Sequence, residues 1–138
     1  MSQTFFYKLF GSGSMPEEFK STLEYFEEGV KATITYKNYR GPKYFYGASI
    51  GYAAYRKNWF SGALGYSRQG IVGVIRKQKF IDVPFDDERY ATLKIEINEK
   101  YVGITFNSQD FHKNTSGEIE VRFYVDQPEN YRKLLSTR

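Results

Sequence analysis

The side chains best suited to chemistry are a run of carboxylates and a lone histidine. Asp82, Asp86, Asp87 and Glu88 form the densest acidic cluster of the chain, and clustered oxygen donors are what a hard divalent cation takes. Their spacing lacks the Asp-x-Asp-x-Asp-Gly pattern of a calcium loop, so they read as a solvated turn that balances positive charge elsewhere. His112, with Asp110 and Ser108 close by, has the residue types of a nucleophilic triad. They stand in a polar stretch from Asn107 to Gly117 without a nucleophile elbow, which predicts an ordinary surface loop. Gly11-Ser12-Gly13 precedes no lysine-threonine helix start after a strand, so no phosphate loop is expected. With no Cys there is no disulfide framework, zinc finger or thiol chemistry, which fits a reducing cytoplasm. The expectation is a non-catalytic chain with no cofactor and no metal.

The binding chemistry is more pronounced. Between Gly29 and Ile81 the chain has ten Lys or Arg residues, eleven aromatic residues and no Asp or Glu, whereas the remainder has ten basic and sixteen acidic residues. A segment this basic and aromatic suits phosphate, lipid headgroups, nucleic acid or an acidic peptide. The candidate anion-binding residues are Lys37, Arg40, Lys43 and Arg68, expected at one end of a strand meander, with Arg56, Lys57, Arg76, Lys77 and Lys79 near the other. Trp59 and Phe60 are candidates for an interfacial wedge or for core and rim. A purely structural role is also open, because Lys and Arg on a solvent face protect a sheet from edge-to-edge aggregation.

The first fourteen residues have a different composition. Residues 1–10 contain a hydrophobic peptide, Phe5, Phe6, Tyr7, Lys8, Leu9 and Phe10; residues 11–14 are Gly-Ser, the composition of a flexible tether; and Met15 follows. This reads as a partner's binding peptide joined to a domain spanning 15–138, held at high local concentration by its linker. As a strand the peptide alternates Phe5, Tyr7 and Leu9 with Phe6, Lys8 and Phe10. As a helix, Phe6, Leu9 and Phe10 share a face. A native N-terminal strand is the other reading.

The elements that must position these groups are mainly β. Ser14 and Glu17 have capping-box spacing with Pro16 in the first turn, and Phe19, Leu23 and Phe26 recur at helical spacing, so a helix is predicted from Pro16 to about Glu28, stopped by Gly29. Eight strands are predicted: Val30 to Lys37, Tyr44 to Tyr55, Trp59 to Tyr66, Ile71 to Arg76, Phe80 to Pro84, Thr92 to Ile97, Tyr101 to Phe106 and Glu118 to Val125. Turn signals at Arg40-Gly41-Pro42, Lys57-Asn58, Ser67 to Gly70 and Asn98-Glu99-Lys100 separate them. Glycines at 47, 51, 62, 65 and 73 inside these stretches point to a strongly bent antiparallel barrel or sandwich. Asp126 to Glu129 start a C-terminal helix, with Tyr131, Leu134 and Leu135 on one face, that caps one opening.

Two further stretches, Gly62 to Ser67 followed by Gly70-Ile71-Val72, and Phe80-Ile81-Asp82-Val83-Pro84-Phe85, give this α+β pattern of seven to eight strands a family likeness. Together with the C-terminal helix the pattern resembles the pleckstrin-homology superfold, in its bacterial GRAM-like group, over about Val30 to Leu135. The resemblance implies a binding module rather than an enzyme. Many members hold phosphoinositides with basic residues of the first hairpin, the place of Lys37, Arg40 and Lys43 here, and others bind peptides along a sheet edge or against the C-terminal helix.

The reading favoured is a cytoplasmic adaptor or scaffold module that captures a short aromatic peptide from a protein partner, with Phe5 to Phe10 as that peptide or its mimic. The alternatives are peripheral binding of an anionic lipid or phosphate-bearing ligand through residues 29–81, and nucleic-acid binding by the same segment. A strand-mediated homo-oligomer is compatible with all three.

Overall fold

A computed structural model describes residues 13–41, 44–45, 48–49, 52–76, 78–112 and 114–136. The peptide Phe5 to Phe10, Lys43 and Lys77 lie outside the described residues. In chain order the elements are α1 (Glu17–Lys20), β1 (Tyr25–Arg40), β2 (Tyr44–Phe45), β3 (Ala48–Ser49), β4 (Tyr52–Tyr66), β5 (Gly70–Ile75), β6 (Gln78–Pro84), a 3-10 turn (Glu88–Thr92), β7 (Lys94–Ile97), β8 (Val102–Asn107), a second 3-10 turn (Ser108–Asp110), β9 (Ser116–Tyr124) and α2 (Pro128–Ser136). Seven strands form one antiparallel sheet in the order β6-β5-β4-β1-β9-β8-β7, while β2 and β3 pair with each other. The sheet curls into a half-barrel with β6 and β7 as its edges, the strong bend that the glycine pattern suggested.

The core fills the concave side because alternate residues of each strand face it. Val30, Ala32, Ile34 and Tyr36 of β1 meet Phe60 and Leu64 of β4 and Ile119, Val121 and Phe123 of β9, all buried. Burying each large apolar side chain contributes about 1.5–3 kcal/mol. Curvature needs close strand approach, and Gly73 of β5 supplies it: a Cβ there would stand 2.9 Å from the Phe123 ring.

Two sequence expectations are corrected. The predicted helix from Pro16 to Glu28 is one turn, Glu17–Lys20, and Tyr25 to Glu28 begin β1. Phe19, Leu23 and Phe26 do share a surface, but it is reached by a turn and a strand, and it packs with Met15, Ala63, Val72 and Val74 on the convex side of the sheet. Pairing of Tyr25 with Tyr66 and of Phe26 with Gly65 overrides the local helical preference. Gly29, expected as a helix stop, instead has φ 70° at a register shift in β1. The second correction concerns Lys57-Asn58, read as a turn. Both lie inside β4, paired with Thr35 and Ile34, so the stretch expected as two strands after the first hairpin is a short β2–β3 hairpin followed by one 15-residue strand.

The C-terminal helix closes one opening. Tyr131 is fully buried, donates its hydroxyl to the Leu64 carbonyl at 2.9 Å, and meets Tyr25 and Tyr66 edge-on at 5.7 and 5.4 Å. Burial pushes the Tyr25 hydroxyl up to about 12 and the Tyr131 hydroxyl well above the ordinary tyrosine value. Glu27 accepts from the backbone N–H groups of Asp126 and Gln127 at 2.6 and 3.2 Å. A carboxylate there complements the positive end of the helix dipole.

Candidate functional site

β4, β1 and β9 together form a long three-stranded arm. β5 is registered only against Gly62 to Tyr66 of β4, so Tyr52 to Ser61 run on past its end alongside β1. Since Ile34 and Tyr36 face the core, the odd-numbered neighbours Thr33, Thr35 and Lys37 face outward. Three cross-strand rows follow on the convex surface: Trp59, Thr33 and Arg122; Lys57, Thr35 and Glu120; Tyr55, Lys37 and Glu118.

By register and burial these rows outline a shallow groove along β1. Thr33 and Thr35 are its floor, at 3% and 5% exposure despite facing away from the core. One wall is Tyr55, Lys57 and Trp59; Tyr55 and Trp59, 67% and 54% exposed, are the exposed large hydrophobic residues among those described. The other wall is Arg122, whose Nε lies 3.1 Å from the Glu120 carboxylate and whose guanidinium sits 4.5 Å from the centre of the Tyr101 ring. The Thr33 hydroxyl is buried without a hydrogen-bond partner among the described residues, a desolvated polar group in the middle of the floor. Such a surface offers two amphipathic aromatics, a lysine between them and a buried floor, which is hydrophobic recognition with a polar rim.

The sequence-predicted basic residues do not gather as expected. Arg68 lies at the β4–β5 turn, at the opposite end of the arm from Lys37 and Arg40, and pairs with Glu24 at 3.2 Å. Arg56 and Lys57 are on the same arm as Lys37, because β4 is continuous. They point to opposite faces, with Arg56 registered against Tyr36 and its Nε 3.4 Å from Asn58. Lys37 pairs with Glu118 and Lys79 with Asp82, each at 3.7 Å. Arg40 is registered against Tyr52 and Ser116. Arg76 occupies the β5–β6 turn, exposed, with φ 52°. Segregation of charge along the chain is therefore partly undone in space, as Glu24, Glu118 and Asp82 come from outside the acid-free segment.

The groups considered for catalysis have structural partners. Asp87 caps the 3-10 turn at Glu88–Thr92 and binds Arg89 through its side chain at 2.8 Å, an interaction that holds its carboxyl below the ordinary value. Ser108 bonds Thr115. His112 is not the plain surface residue expected: its ring packs on Phe80 and Phe106 at 5.3 and 6.2 Å, and burial pushes its pKa down to about 4. Among the described residues no cluster of three or more His, Cys, Asp or Glu side chains could hold a metal ion, and no helix is long and apolar enough to cross a membrane.

Of the two readings of Trp59 and Phe60, core and rim fits and a joint wedge does not, since adjacent strand residues face opposite ways and Phe60 is buried while Trp59 is exposed. The usable signal was the alternation Tyr55, Lys57, Trp59, hidden by the assumed turn at Lys57-Asn58. Comparison with known proteins gives no match to a family model, to a curated protein or to a solved structure.

Proposed function

We propose that this chain is a non-catalytic adaptor module that captures a short aromatic peptide in the convex-face groove of β1 and β4, with Phe5 to Phe10 as that peptide or its mimic. The observation that carries the reading is the pairing of two exposed aromatics, Tyr55 and Trp59, with a floor at Thr33 and Thr35 that is nearly sealed. Exposed aromatics side by side on one strand face offer the large, amphipathic contact area that bulky side chains of a partner pack against. Seven antiparallel strands in the main sheet followed by one helix support the pleckstrin-homology-like expectation of a binding module.

Trp59 is the one tryptophan of the chain, so its emission reports occupancy directly. The test is titration of a peptide covering Met1 to Phe10 into the full-length variant F5S/F6S/F10S, in low and high salt. Saturable change in Trp59 emission that survives salt supports hydrophobic capture, and abolition by Y55S confirms the wall. No saturable change overturns the reading.

A second reading, weak attachment to an anionic lipid surface, is favoured by Lys57 standing between Tyr55 and Trp59 on one strand face. Each cation near such a surface contributes about 1 kcal/mol, so this attachment is lost in high salt, which separates it from peptide capture.

A further inference from the structure

We infer that the groove has a resident ligand supplied in cis: Phe5 to Phe10 of the same chain fills the rows at Trp59 to Tyr55, and a partner peptide binds by displacing it. This rests on the peptide-capture reading and adds its regulation.

The direction of the chain carries the argument. Met15 is buried on the convex surface with Ala63, Val72 and Val74, and its N–H donates to the Glu28 carboxylate at 2.8 Å. Two residues earlier, the Gly13 carbonyl accepts from the Gly29 N–H at 2.9 Å. A Cβ on Gly13 would stand 2.9 Å from the backbone of both Ser61 and Gly62. Between Met15 and Gly13 the chain therefore advances from Ala63 to Ser61, on the convex face and toward Trp59. Half of the Gly-Ser run is thus a docked segment with a set heading.

Reach agrees with that heading. At about 3.3–3.6 Å per extended residue, Phe10 can extend about 10 Å beyond Gly13 and Phe5 about 27 Å. Trp59 lies one row beyond Ser61 and Tyr55 three rows beyond, about 7 and 20 Å along the strand. An extended peptide therefore has the reach to cover the whole aromatic wall. Its apolar side chains match a floor at Thr33 and Thr35 that is nearly shut off from water. Because so few residues separate Phe10 from the anchor, its effective concentration at the groove is in the millimolar range.

The test compares the labelled Met1 to Phe10 peptide on the unmodified chain and on the F5S/F6S/F10S variant, with acrylamide quenching of Trp59 on both without added peptide. The expected result is at least about tenfold tighter binding to the variant, since a millimolar cis competitor is removed, and stronger quenching of its tryptophan. Equal affinities and equal quenching overturn the cis ligand while leaving peptide capture standing. Binding to neither chain overturns both. A far-UV circular dichroism spectrum of the variant that matches the unmodified chain confirms that the fold bearing the groove is intact, while its unfolding midpoint is expected to fall because a ligand of the folded state has been removed.

Discussion

The Tyr131 hydroxyl donates to the carbonyl of Leu64 at 2.9 Å, joining α2 to β4 across 67 positions in a buried environment. Removing the donor leaves a buried carbonyl without this partner. Y131F is expected to destabilise the fold by about 1–2 kcal/mol, seen as a lower urea midpoint with an unchanged slope. An unaltered midpoint would show that the bond adds nothing over water.

His112 makes stability depend on pH with a definite sign. Its folded pKa is about 4 against an ordinary 6.5. Between those values the unfolded chain binds a proton that the folded one does not, so stability falls as pH is lowered through 6.5 and levels off near 4. Urea unfolding between about pH 5 and pH 7, above most carboxylate titrations, isolates this group. H112F is expected to flatten the slope, and an equally steep slope in the variant would assign it elsewhere.

Gly13 has φ 89° and leaves no room for a side chain over Ser61 and Gly62. G13A combines a left-handed conformation, about 1–2 kcal/mol for a non-glycine residue, with a contact against backbone. A lowered melting temperature and the loss of Met15 protection in hydrogen exchange are expected. Unchanged exchange at Met15 would mean that the N-terminal anchor does not depend on this approach.

Thr33 presents the opposite case, a buried hydroxyl without a hydrogen-bond partner among the described residues. T33V keeps the shape and removes a group that has been desolvated without return. It is expected to raise stability by up to about 1 kcal/mol, measured by urea unfolding, and to leave peptide binding to the groove intact. A destabilised T33V would reveal a partner for that hydroxyl.

Local pattern was sufficient for much of this protein. Alternation of Ile95 and Ile97 with Lys94 and Glu96, and of Ile119, Val121 and Phe123 with polar neighbours, defines strands whose two faces differ, and β7 and β9 fall there. Asn98 ends β7 because its carboxamide accepts from the N–H groups of Lys100 and Tyr101, a bond made within four residues. Pro128 in the first turn of α2, where its missing N–H is harmless, is an equally local signal. Such features need no distant partner, and a sequence carries them openly.

Tertiary structure decided the rest. Tyr25 to Glu28 suit a helix on their own, and become strand because Tyr66 and Gly65 offer a ladder some forty positions away. Lys57-Asn58 suits a turn, and stays extended because Thr35 and Ile34 pair with it, which is what aligns Tyr55 with Trp59. The acid-free segment suggested two positive patches, until folding brought Glu24 to Arg68 and Glu118 to Lys37. In each case a weak local preference, worth tenths of a kcal/mol per residue, yields to pairing and burial summed over many residues. The groove follows from that competition, because its floor and both walls come from three strands that only the fold places side by side.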